Sequence, residues 1–120
     1  IWRKRLGGGM RQAGILAAAG LVALEESPKR LHEDHANAKT LAIGLAAIPG
    51  IALDVETVET NIVIFDVSGT GRTSGDICTA LKENGILASG FGSRIRMVTH
   101  LDASSKDVET TISTLSRIVH

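Results

Sequence analysis

The segment Asn61-Ile62-Val63-Ile64-Phe65-Asp66-Val67 carries β-branched and aromatic side chains on both of its alternating faces. That composition predicts a β-strand, and apolar residues on both faces predict an inner strand of a sheet. The turn Ser68-Gly69-Thr70-Gly71 follows it, and then a helix over about Ser74 to Asn84, stopped by Asn84-Gly85. Two short strands come next, Ile86 to Ser89 and Arg94 to Thr99, separated by Gly90-Phe91-Gly92. Ser104 or Ser105 caps a last helix that sets Val108, Ile112, Leu115 and Val119 on one face. Upstream, Ile51 to Val55 reads as one more short strand. The order β-β-α-β-β-α is that of an α+β domain, a short mixed or antiparallel sheet packed with helices.

Two longer helices precede this domain. Met10 to Glu26 is rich in Ala and Leu and apolar nearly all round, which suits a large core or a subunit interface. Ser27-Pro28 then reads as an N-cap with proline at the first helical position. Leu31, His35, Ala38, Ala42 and Leu45 recur at helical spacing to about Ala47, before Pro49-Gly50 ends the helix. Residues 1–12 are polar and broken by Gly7-Gly8-Gly9, which marks a loop. Because the chain starts at Ile1 without Met, the expectation is that it begins inside a larger protein.

Composition excludes several function classes. The 120 residues hold 13 Lys plus Arg and 13 Asp plus Glu, for a formal net charge of +0. A nucleic-acid protein normally has a basic excess, and the balance holds in both halves of the chain. Trp2, Phe65 and Phe91 are the only aromatics, too few for a stacking platform. The single cysteine, Cys78, excludes an internal disulfide framework and points to an intracellular protein. The longest apolar or small-residue run, Ala13 to Leu24, falls short of the ~20 residues of a membrane span. Neither nucleic acid nor membrane is expected as a partner.

The residues able to carry chemistry are few. Gly7-Gly8-Gly9-Met10-Arg11-Gln12 feeds a helix start and is surrounded by Lys4, Arg5 and Arg11. Backbone N–H groups and the positive end of a helix dipole suit a phosphate or carboxylate there, and a hinge beside a crowded interface accounts for the same glycines. It is not a P-loop, because no Gly-Lys-Ser/Thr follows. His32 and His35 have metal-ligand spacing but no third ligand, and a helix with a solvated Glu33-Asp34 face and one His packed on the core explains them better, so no metal is expected. Arg94 and Arg96 share one strand face while Ile95 and Met97 take the other. A guanidinium fork matches a carboxylate, or the pair lies on an ordinary exposed face. Cys78 reads as a small buried hydrophobe, and His100 either borders a site or caps a strand end. No complete catalytic set can be assembled.

At family level the residues are recognisable. Arg3-Lys4-Arg5-Leu6-Gly7-Gly8-Gly9-Met10-Arg11-Gln12, followed by Gly14-Ile15-Leu16-Ala17-Ala18-Ala19-Gly20, resembles the region after the cofactor lysine in low-specificity threonine aldolases. Leu31-His32-Glu33-Asp34-His35-Ala36-Asn37-Ala38, Glu59-Thr60-Asn61-Ile62 and Arg94-Ile95-Arg96-Met97-Val98-Thr99-His100-Leu101-Asp102 fit the same family in the same order. The resemblance covers essentially the whole chain. It implies a pyridoxal 5'-phosphate enzyme of the aspartate aminotransferase fold (fold type I), cleaving L-threonine or L-allo-threonine to glycine and acetaldehyde. It further implies that residues 1–27 are a glycine loop and linking or interface helix and residues 28–120 the C-terminal small domain, with the large cofactor-binding domain upstream.

By the same resemblance the Schiff-base lysine lies upstream. Lys4, Lys29, Lys39, Lys82 and Lys106 do not match its context, so these residues supply no catalytic group and the chain alone is expected to be inactive. Arg96 corresponds to the small-domain arginine that binds the substrate carboxylate. Arg11 and Lys4 match basic positions near the cofactor phosphate, across a subunit interface. A small amino-acid substrate, a homodimer or homotetramer and a cytoplasmic location are implied as well. The alternatives are a β-eliminating lyase of the same fold, such as a tyrosine or tryptophan lyase, and a non-catalytic binding or oligomerisation module of the same ancestry.

Overall fold

A computed structural model describes residues 1–120, which form two compact units, Ile1–Leu31 and His32–His120. In the first unit a short helix, α1 (Trp2–Arg5), stands where the sequence reads only as a loop. The Arg5 guanidinium lies over the Trp2 ring, 5.3 Å from its centroid, a cation–π contact that ties the turn together. Gly8 donates its backbone N–H to the Arg3 carbonyl at 2.7 Å, and the chain doubles back. Helix α2 spans Gly14–Glu26 and starts later than Met10. The reason is Gln12, held at φ 51, a left-handed conformation that no α-helix accommodates.

No residue of α2 is buried. The Ser27-Pro28 start signal does not open the next helix either. Ser27–Lys29 is a 3-10 turn without a side-chain cap bond, and α3 begins beyond it, spanning Leu31–Ala46 with Glu33 and Asp34 in its first turn.

The second unit holds the core. Strands β1 (Ile62–Asp66), β2 (Ser89–Phe91) and β3 (Arg94–Val98) form one wholly antiparallel sheet in the order β1-β3-β2. Helix α4 spans Ser74–Glu83 and α5 spans Ser105–Val119. This is the α+β class expected. Val63, Phe65, Ile95 and Met97 point to one side of the sheet and are buried with Leu41, Leu45, Ile77, Leu81, Val108 and Leu115 of the helices. Each such side chain contributes about 1.5–3 kcal/mol by leaving water.

Three strand expectations are corrected. The strand at Asn61 to Val67 is not the inner one: β3 is, and β1 leaves its second face open, with Ile62 39% and Ile64 42% exposed. Ile51 to Val55 contributes only the bridge Ala52–Asp66, because Asp54 accepts the Glu56 N–H at 3.0 Å and turns the chain into the 3-10 turn Val55–Thr57. The short strand after α4 falls at Ser89–Phe91 rather than Ile86 to Ser89, so Gly90 and Phe91 belong to it.

Helix ends follow the local signals more closely. Asn84 is the C-cap of α4. Ser104 caps α5 in a reciprocal box with Asp107, whose carboxyl is held below its ordinary range by the Ser104 hydroxyl and N–H. Two close approaches need glycine. Gly50 has φ 87, and a Cβ there would stand 2.7 Å from the Gly69 carbonyl oxygen. A Cβ on Gly44 of α3 would stand 2.3 Å from Cδ1 of Ile112 on α5.

Candidate functional site

Candidate groups occur in both units. In the first, Arg3, Met10, Arg11, Gln12 and Ala13 line an open cleft of about 590 Å³ at the N-terminal end of α2. Two guanidiniums and the leading N–H groups of a helix suit an anion. Arg3 donates from Nη2 to the Met10 carbonyl, which fixes the loop around the cleft. Arg11 is one of the lining residues. Lys4 lies on α1 and is not among the lining residues. Arg3 was missed, because its role depends on the chain doubling back through the glycines.

In the second unit the open face of the sheet carries the chemistry. Pairing sets three rows across it: Ile62 with Val98, Ile64 with Arg96 and Ser89, and Asp66 with Arg94 and Phe91. Arg94 and Arg96 share this face, and Ile95 and Met97 are buried on the other, as strand alternation predicts. Arg96 is exposed, flanked by Ile64 and Ser89, with no acidic neighbour in its row. Arg94 faces Asp66 instead.

Asp66 accepts the Ser68 N–H at 2.8 Å and the Ser68 hydroxyl on Oδ1, and the Ser93 hydroxyl on Oδ2. The Ser68 hydroxyl, the Ser93 hydroxyl, the Ser68 N–H and the charge of Arg94 hold its carboxyl at about 2, below the ordinary 3.8. This cluster went unnoticed in the sequence. The spacing Asp66-x-Ser68 signals an Asx-type turn, but the third member, Ser93, comes from the residue just before β3, distant in sequence and brought to Asp66 by the β1–β3 pairing.

The other candidates lie apart from these two groups. His32 is exposed and His35 half-buried on α3, and no group of three His, Cys, Asp or Glu is placed to hold a metal. Cys78 packs against the core, and burial pushes its thiol pKa up, away from the reactive thiolate. His100 accepts the Asp102 N–H on Nδ1 at 3.3 Å and stands 3.8 Å from its carboxylate, closing the turn after β3. No helix is long and apolar enough to cross a membrane.

A family model described as Beta-eliminating lyase matches residues 1–68, more than half the chain. The chain belongs to the beta-eliminating lyase family. The match takes in the glycine loop, α2, α3 and β1, and stops short of Arg94 and Arg96.

Individual relatives extend the comparison over nearly all of this family member. It is 48% identical to the Arabidopsis thaliana protein named Low-specificity L-threonine aldolase 1, over 92% of this chain and 32% of that one. It is 42% identical to Probable low-specificity L-threonine aldolase 2 of the same plant, over 98% and 34%. Low specificity L-threonine aldolase of Escherichia coli (strain K12) is 38% identical over 89% and 30%. The chain thus spans about a third of the length of the curated relatives it matches.

Proposed function

We propose that this chain acts as part of a pyridoxal 5'-phosphate-dependent threonine aldolase that cleaves L-threonine or L-allo-threonine to glycine and acetaldehyde. The observation that carries the reading is Arg96. It is an exposed guanidinium without an acidic partner, on the open face of the sheet, in the Arg94-to-Asp102 segment that resembles the threonine aldolases. The names of the relatives support the same activity.

The residues present fit the phosphate end of the cofactor. Arg3, Arg11 and the start of α2 form an anion-suited cleft, and Lys4 adds positive charge on the neighbouring helix. They do not fit its aldehyde end. Lys39, for example, is engaged by the Val55 carbonyl at 3.0 Å and by Glu56 at 3.3 Å. The Schiff-base lysine is assigned to the part of the relatives' length that this chain does not span. When bound, the cofactor supplies the electron sink that makes Cα–Cβ cleavage accessible.

The chain's own contribution is binding and orientation. Arg96 grips the substrate carboxylate through two parallel N–H bonds, which fixes the rotation of the amino acid about Cα and so the direction of the breaking bond. Arg11 holds the phosphate, and Lys4 contributes charge beside it. The protein is assigned to the cytoplasm and to a homodimer or homotetramer, with α2 as interface.

Steady-state kinetics on L-threonine in the full-length, cofactor-loaded enzyme tests the reading. Arg96→Ala should lower kcat/KM by about ten- to a hundred-fold, the scale for losing a charged hydrogen-bond partner. Arg96→Lys should recover only part, since an ammonium lacks the fork, and the cofactor absorbance should persist in both. Near-normal kcat/KM in Arg96→Ala would remove Arg96 from the site. A β-eliminating lyase is the second reading, favoured by the description of the family itself. Ammonia and a 2-oxo acid from an amino acid with a β-leaving group, without glycine from threonine, would select it.

A further inference from the structure

The open face of the sheet holds two arginines with different cross-strand neighbours. Arg94 and Arg96 are two residues apart on β3, so their Cα atoms stand about 7 Å apart at ~3.3 Å per residue. Two forks at that spacing suit the two carboxylates of a dicarboxylic amino acid. Asp66 changes this. It lies directly across from Arg94, and its two oxygens are engaged by Ser68 and Ser93.

Those donors leave the carboxylate little freedom to turn. Val67 also donates its N–H to the Ser93 carbonyl at 2.9 Å, so the strand ends that carry Asp66 and Ser93 are tied as well. Held below its ordinary pKa, Asp66 is negative at neutral pH. Arg96 has Ile64 and Ser89 as its cross-strand neighbours, neither of them acidic.

We propose that Asp66, clamped by Ser68 and Ser93, neutralises Arg94 across the β1–β3 pair and leaves Arg96 as the single carboxylate receptor, so that the enzyme selects β-hydroxy amino acids with one carboxylate over those with two. Asp66 is a positioning residue here, acting through Arg94. The inference rests on the threonine aldolase reading and on Arg96 as its carboxylate site.

The discriminating probe is β-hydroxyaspartate. Its cleavage breaks the Cα–Cβ bond, the β-hydroxyl loses its proton as the β-carbon becomes the aldehyde of glyoxylate, and Cα takes up a proton to give glycine. The step needs no oxidant or reductant. The measurement is the ratio of kcat/KM for β-hydroxyaspartate to that for threonine in the full-length, cofactor-loaded enzyme. Asp66→Asn, isosteric but uncharged, should raise this ratio at least about ten-fold.

Arg94→Gln in the Asp66→Asn background should return the ratio to within about three-fold of the wild type, which a merely structural role for Asp66 would not do. Ser68→Ala with Ser93→Ala unlocks the carboxylate without deleting it, and should shift the ratio the same way by a smaller factor. That second arm carries the test if Asp66→Asn does not fold. Unchanged ratios in the folded variants, with threonine still cleaved, overturn this inference alone. A wild-type holoenzyme that cleaves neither substrate overturns the proposed activity, and the inference with it.

Discussion

Arg94 and Arg96 differ by what stands opposite them. One faces a carboxylate, the other an isoleucine. Strand alternation puts both on the same face, but only the pairing with β1 separates the guanidinium that has an acid across from it from the one that does not. Asp66 also makes a prediction of its own. Its folded pKa of about 2 lies below the ordinary 3.8, so its interactions stabilise the fold fully above the higher value and are lost as pH falls through the lower. Acid titration followed by circular dichroism should therefore show wild-type stability declining between about pH 4 and pH 2. Asp66→Asn should lack that part of the decline, and identical acid transitions in the two proteins would count against the clamp.

Among the elements, α3 and α5 show how tightly the second unit is built. Gly44 admits Ile112 to a position that a methyl group would occupy. Alanine is the better helix former by about 1 kcal/mol. Overpacking typically costs about 1–3 kcal/mol, and here Cδ1 and Cγ1 of Ile112 both lie inside contact distance of the added carbon. Gly44→Ala should therefore destabilise by roughly 1 kcal/mol despite its propensity gain. Ile112→Val in the same chain removes Cδ1 and should recover part of the loss. Urea denaturation of the single and double variants measures this coupling, and additive effects would mean the two side chains do not compete for space.

For the whole molecule, α2 is the feature to explain. Ile15 is 86% exposed and Leu24 75%, with no buried residue anywhere on the helix. An apolar patch of this extent drives association, at about 25 cal/mol for each Å² removed from water. Sedimentation velocity on the chain should show dimers or larger species at micromolar concentration. Ile15→Lys with Leu24→Glu should shift the population towards monomer, raising the dissociation constant at least about ten-fold. A clean monomer in the unsubstituted chain would contradict the assignment of α2 as an interface.

The sequence alone determined whatever depends on near neighbours. The serine cap of α5, the stop at Asn84-Gly85 and the alternation of Arg94, Ile95, Arg96 and Met97 are local chemistry, and each is found where it was read. The likeness to threonine aldolases was legible too, because it rides on contiguous segments. Tertiary structure alone decided which strand is central, since Ile62 and Ile64 look the same on an open face as on a covered one. It also decided that Ser27-Pro28 closes a turn rather than opening a helix. The Asp66 clamp came from the same source, because Ser93 meets Asp66 only through the antiparallel register of β1 and β3. A pairing between residues so far apart in sequence is set by strand register, which one strand's own pattern does not contain.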